Sequence, residues 1–125
     1  REAVTDTLRL EVGSPEVDGR IFPVHRARNR VYLEGATEPS VTWTNELTLG
    51  DSAGVRVMRW VTLGQQPNGM TWELRQTYDA RTLAPMAYSY RNGNGAEKVL
   101  RIDGTRVRGW VRSPDSSVCQ NEMRW

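Results

Sequence analysis

The stretch Met70-Thr71-Trp72-Glu73-Leu74-Arg75-Gln76-Thr77-Tyr78 decides the fold. Read at period two, it places Met70, Trp72, Leu74 and Tyr78 on one side and Thr71, Glu73, Arg75 and Thr77 on the other. A helix would scatter both sets around its circumference, whereas a half-buried strand sorts them cleanly. The same alternation gathers Val41, Trp43, Leu47 and Leu49, then Met86, Tyr88 and Tyr90, and sets Leu8, Leu10 and Val12 against Thr7, Arg9 and Glu11.

Working outward, turn chemistry separates these runs. Gly50-Asp51-Ser52-Ala53-Gly54 ends one strand and Gly64-Gln65-Gln66-Pro67-Asn68-Gly69 the next. Asn92-Gly93-Asn94-Gly95 suits positive φ, and Asp103-Gly104 has the composition of a two-residue type I′ hairpin turn. Segment 79–85 reads as a corner in which Asp79 caps a turn and Pro85 starts the next strand. Strands are expected near 3–12, 21–34, 41–49, 55–63, 70–78, 86–91, 97–103 and 106–112, with Pro23 interrupting the second. No segment reads as a helix.

Short connections imply a meander in which each strand pairs with its sequence neighbour. An open sheet would leave its Trp, Tyr, Leu, Val and Met face in water, so the sheet must close, fold over or pair with another copy. The expected fold is therefore all-β: a single domain over 1–125, an antiparallel meander of about eight strands forming a curved half-barrel or small barrel. Its concave side would hold the aromatic residues.

Composition bounds the function. A chain of 125 residues can bury a real core without disulfides, and its one cysteine, Cys119, permits no internal bridge. Cys119 is expected to pack as a small hydrophobe. Net charge is +2, and the charges are interspersed rather than run together, which disfavours nucleic acid as a partner. All but one of the 17 basic residues are Arg, leaving room for an anionic ligand. The sequence begins at Arg1 with no apolar leader, and no run is long enough to cross a bilayer.

Catalytic and metal motifs are not found. His25, the single histidine, lies among Arg26, Arg28 and Arg30 and reads as a solvated residue. Asp51, Asp79 and Asp103 sit in turns, and Glu46 and Glu73 on polar strand faces where cross-strand pairing explains them. No catalytic residue, metal ligand or cofactor is assigned. The informative group is aromatic: five Trp and four Tyr beside one Phe. Trp43, Trp72, Tyr78, Tyr88 and Tyr90 fall on the inferred inner face and suit a ligand lining, since each joins an apolar body to a polar tip. Arg59 completes the candidate ligand-binding set. Val55, Val57, Val61 and Leu63 share its side, so it is expected to point inward, toward Glu46, Glu73 or an anionic head group.

The corner Thr77-Tyr78-Asp79-Ala80-Arg81-Thr82-Leu83-Ala84-Pro85-Met86 and the hairpin Leu100-Arg101-Ile102-Asp103-Gly104-Thr105-Arg106-Val107-Arg108-Gly109 resemble motifs of bacterial envelope proteins related to the outer-membrane lipoprotein carriers. The resemblance covers 70–112 well and 41–69 loosely. It implies a curved half-barrel whose apolar concave side receives lipid or acyl chains, and a periplasmic or envelope location. Domains of that family run on into further strands and a helical lid, so a half-barrel of this length is expected to pair with another copy. The leading expectation is a non-enzymatic module binding an apolar or amphipathic molecule, as a homodimer or larger oligomer. The alternatives are a small hydrolase using carboxylates or a metal held through His25, and a self-assembling structural domain.

Overall fold

The structure, a computed structural model, describes residues 14, 15 and 18–124. Among the described residues eight antiparallel strands form one sheet in sequence order: β1 (His25–Val31), β2 (Val41–Ser52), β3 (Val55–Gln65), β4 (Thr71–Asp79), β5 (Pro85–Asn92), β6 (Glu97–Asp103), β7 (Arg106–Arg112) and β8 (Val118–Arg124). The sheet curls without closing, as in a half-barrel. Among the described residues no helix is long and apolar enough to cross a membrane.

Turn chemistry places the strand ends. Ala53 and Gly54 both adopt positive φ (48° and 79°) in a two-residue connection between β2 and β3. That is the type I′ geometry whose twist matches the flanking strands. Gly50 and Asp51, expected to end β2, lie inside it. Between β6 and β7 the connecting residues are Gly104 and Thr105, because Asp103 already pairs with Arg106. Only Gly104 has positive φ (56°), so glycine holds the first central position, as in a type II′ turn, and the expected Asp103-Gly104 type I′ turn is displaced by one residue.

The corner after β4 forms as its residues suggest. The Asp79 carboxylate accepts the backbone N–H groups of Arg81 (2.9 Å) and Thr82 (2.8 Å), and Pro85 opens β5. Leu83 adopts φ 60°, a costly conformation for a bulky residue. It turns the Leu83 side chain onto a small core of Leu47, Met58 and Ala80, packed also by Leu49, Trp60 and Tyr78. Gly19, from a 3-10 turn over Gly19–Ile21, is buried against this corner and donates its N–H to the Arg81 carbonyl (2.9 Å). Any Cβ at position 19 would strike the Ala80 carbonyl and the Leu83 side chain.

Not every strand expectation carries over. The one at 3–12 lies outside the described residues. The one at 21–34 contracts to β1, because the 3-10 turn and Pro23 precede it. β8 was not expected: every residue in it is exposed, so no apolar alternation marks it, and backbone pairing to β7 makes it a strand.

Candidate functional site

Directly opposed residues in an antiparallel ladder share a face, so the register assigns every side chain to one of two surfaces. One surface is aromatic and aliphatic. Across its first row, Asn29 opposes Trp43, Trp43 opposes Gly64, and Gly64 opposes Trp72. The next row runs Asn45, Thr62, Leu74, Tyr90, Lys98. A third runs His25, Leu47, Trp60, Gln76, Tyr88, Leu100, and Leu49, Met58 and Tyr78 follow. The other surface carries Arg26, Arg28 and Arg30 of β1, the threonines of β2, Glu73 and Arg75 of β4, and Arg106, Arg108 and Arg112 of β7.

The structure thus brings Trp43, Trp72, Tyr78, Tyr88 and Tyr90 to one face and leaves each half-buried. It does not stack them or gather them into one pocket. The ring contact among the described residues is His25 edge-on to Trp60, with centroids 6.4 Å apart. Trp43 borders a hollow with Arg28, Thr42 and Leu63, and Trp72 a separate one with Glu73, Arg91 and Gly93.

Arg59 lies on the opposite face, against Thr48 and Thr77, so the expectation that it points toward the aromatic residues is corrected. The physical reason is the β2–β3 hairpin. Its two-residue turn pairs Ser52 with Val55, which carries Met58 and Trp60 to the aromatic side and the more uniform Val55, Val57, Arg59, Val61 series to the other. The guanidinium of Arg59 crosses Gly50, where a Cβ would collide with it, and donates to the Asp51 carbonyl (3.3 Å) rather than to Glu46 or Glu73. Val57, beneath this bridge, is fully buried.

Sequence reasoning also missed Trp60 and Lys98. The Lys98 ammonium sits 5.6 Å from the centre of the Tyr88 ring, on the aromatic face, and among the described residues it forms no ion pair. Counting outward from a two-residue turn would have found Trp60; the pairing of β5 with β6 was needed for Lys98. Near Lys98, Leu100, Val107, Val111, Cys119 and Met123 line a hollow of ≈ 270 Å³. Gly109 also lines it, and a Cβ there would strike the Val99 carbonyl and then the Leu100 side chain. Cys119, expected to be packed away, is exposed.

Polar groups on this face are partly matched. Thr62 donates its hydroxyl to Asn45 Oδ1 (2.8 Å), and the Asn92 amide donates to the Tyr90 hydroxyl (2.9 Å). The amide nitrogen of Asn29 is enclosed beside Trp43 with no hydrogen-bond partner among the described residues. Burial raises the Tyr78 phenol above its ordinary value, which keeps it a neutral donor.

His25 is exposed, its Nδ1 3.0 Å from the Pro23 carbonyl. Among the described residues no three His, Cys, Asp or Glu side chains converge as metal ligands would. Glu46 approaches Arg26 across strands at 4.0 Å, and the Arg75 guanidinium bound to Glu73 holds that carboxyl below its ordinary value. No family model, curated protein or solved structure matches the chain.

Proposed function

We propose that the domain is a non-enzymatic binding module that receives an apolar or acyl-chain molecule on its aromatic face. One observation carries the reading. The ladder aligns Trp43, Trp60, Trp72, Leu74, Tyr78, Tyr88 and Tyr90 on one face, yet only Leu47, Val57, Met58 and Ala80 are buried apolar residues among those described. Seven large apolar side chains left half-buried on one face suit an occupant that covers them. At roughly 25 cal/mol per Å², covering even two tryptophans supplies several kcal/mol toward binding. Spread rings suit a long flexible chain lying across several rows better than a compact ligand in one pocket.

Lys98 gives the face a polarity. An acyl chain with an anionic end would lay its tail along the tryptophan and tyrosine rows and its head against the ammonium beside Tyr88. Lys98 thereby takes the role that sequence reasoning gave to Arg59. The resemblance of the 77–86 corner and the 100–109 hairpin to motifs of the lipoprotein-carrier family agrees with this ligand class and with an envelope location.

The test is extraction of the purified protein with organic solvent and titration of the extracted protein with a brominated fatty acid. Quenching of tryptophan fluorescence is expected, weakened by Trp72→Ala and by Lys98→Ala. A protein that carries no lipid, ignores hydrophobic dyes and shows no quenching overturns the reading.

Self-association is a second role, favoured by β8. This edge strand is exposed along its whole length, whereas β1, at the other edge among the described residues, is studded with Arg26, Arg28 and Arg30, which deter edge pairing.

A further inference from the structure

We infer that the face opposite the aromatic rows carries a receptor for a compact oxyanion, a phosphate or carboxylate group, seated over Thr77, Ala87 and Ser89 and held by Arg101. The argument starts from the ladder. Arg59 stands directly across from Thr77, Arg75 across from Ser89, and Arg101 across from Ala87. Three successive strand pairs therefore set a long basic side chain against a small one. The mismatch in size leaves a hollow of ≈ 240 Å³, lined also by Val61 and Val99.

The arginines around it are not equally occupied. Arg75 is bound to Glu73, and Arg59 reaches away over Gly50 to the Asp51 carbonyl. Arg101 has no carboxylate partner among the described residues. It stands directly opposite Arg108, which has none either. Glu122 faces Arg108 across the next strand pair but binds Arg106 and Arg124 instead. Like charges directly opposed on a sheet repel, so an empty Arg101–Arg108 pair is a cost to the fold. A planar or tetrahedral oxyanion in the hollow beside Arg101 offsets that repulsion and accepts charge-assisted, fork-like hydrogen bonds from its guanidinium. The hydroxyls of Thr77 and Ser89 face the hollow without a protein partner among the described residues and add O–H donors at its floor.

Arg101 also borders a second, wider hollow of ≈ 730 Å³ on its far side, lined by Arg108, Trp110, Gln120 and Glu122. A molecule larger than the anion itself can extend from the hollow across Arg101 toward the Trp110 ring. The charged group is the recognised part; the remainder runs over an open surface.

The experiment uses the whole chain and inorganic phosphate as the probe, with sodium chloride at matched ionic strength as reference. Phosphate at about ten times its dissociation constant is expected to raise the thermal midpoint by roughly 3–6 °C. The rise should be kept in Arg30→Gln, on the same face but remote, reduced in Arg101→Lys and lost in Arg101→Gln. Without phosphate, Arg101→Gln should melt no lower than the parent, because the repulsion with Arg108 is gone. Co-sedimentation with phosphatidylglycerol vesicles, against phosphatidylcholine vesicles, separates a lipid head group from a free anion. A response to phosphate identifies a free oxyanion, and an Arg101-dependent response to phosphatidylglycerol alone identifies a head group. No response to either, or a response undiminished in Arg101→Gln, overturns the inference.

Discussion

The indole of Trp72 lies across Gly64 on the neighbouring strand, in the space that a side chain at position 64 would occupy. Trp43 opposes the same glycine from the other side, so Gly64 is the gap that lets two tryptophans share one row. Gly64→Ala sets two effects against each other. Alanine lowers the backbone entropy cost by about 0.5–1 kcal/mol, while overpacking costs about 1–3 kcal/mol. Overpacking wins, since the blocking atoms belong to a rigid ring. Urea unfolding should show a net loss of about 1–2 kcal/mol, and Gly64→Ala combined with Trp72→Leu should recover part of it.

Thr62 and Asn45 face each other within the apolar surface, with Thr62 only 7% exposed. Removing one partner leaves the other unsatisfied in a poorly solvated position. Thr62→Val should therefore cost about 1–3 kcal/mol, whereas Thr62→Val with Asn45→Leu should be nearly neutral. A double-mutant cycle in urea measures this. Equal losses in the single and double variants would show that the hydrogen bond contributes little.

How much of this was readable beforehand depended on whether one face of a strand was much more apolar than the other. β4 was legible because Trp72, Leu74 and Tyr78 alternate with Thr71, Glu73, Arg75 and Thr77. β3 was legible as a strand but not as to side. Val55, Val57, Val61 and Leu63 compete with Met58 and Trp60, and only the length of the Ala53-Gly54 turn decides between them. That single ambiguity put Arg59 on the wrong surface. β8 carries no alternation because neither of its faces is covered, and its pairing is a backbone matter that side-chain pattern does not encode. The place of Lys98 on the aromatic surface depends on cross-strand register two strands away from the nearest clear pattern.

The Asp79 cap predicts a pH dependence. Hydrogen bonds from the backbone of Thr82 and then Arg81 hold its carboxyl below the ordinary value of 3.8. A carboxyl whose folded value is depressed stabilises the fold above its unfolded value. That contribution fades as pH falls below about 4 and through the folded value. Asp79→Ala should cost on the order of 1 kcal/mol at pH 7 and loosen Leu83 from Leu47 and Met58. The difference between parent and variant should shrink steadily in melts taken from pH 5 down to pH 2. A gap that persists at pH 2 would mean that the charge of Asp79 plays no part.

β8 makes the last prediction. On this edge Cys119 and Met123 belong to the aromatic face, opposite Val111 and Val107, and both are exposed. If copies of the chain pair along β8, the aromatic faces of two sheets become continuous, and Met123 and Cys119 lie at the seam. A lysine there places a charge in the path of the incoming strand, the device by which natural sheets keep their edges single. Met123→Lys should shift the protein toward monomer by at least tenfold in dissociation constant, which corresponds to about 1.4 kcal/mol. Arg28→Lys on β1 should leave association unchanged. Light scattering over a concentration series reads both. A parent protein that stays monomeric at high concentration removes the edge from consideration and leaves the aromatic face to its ligand alone.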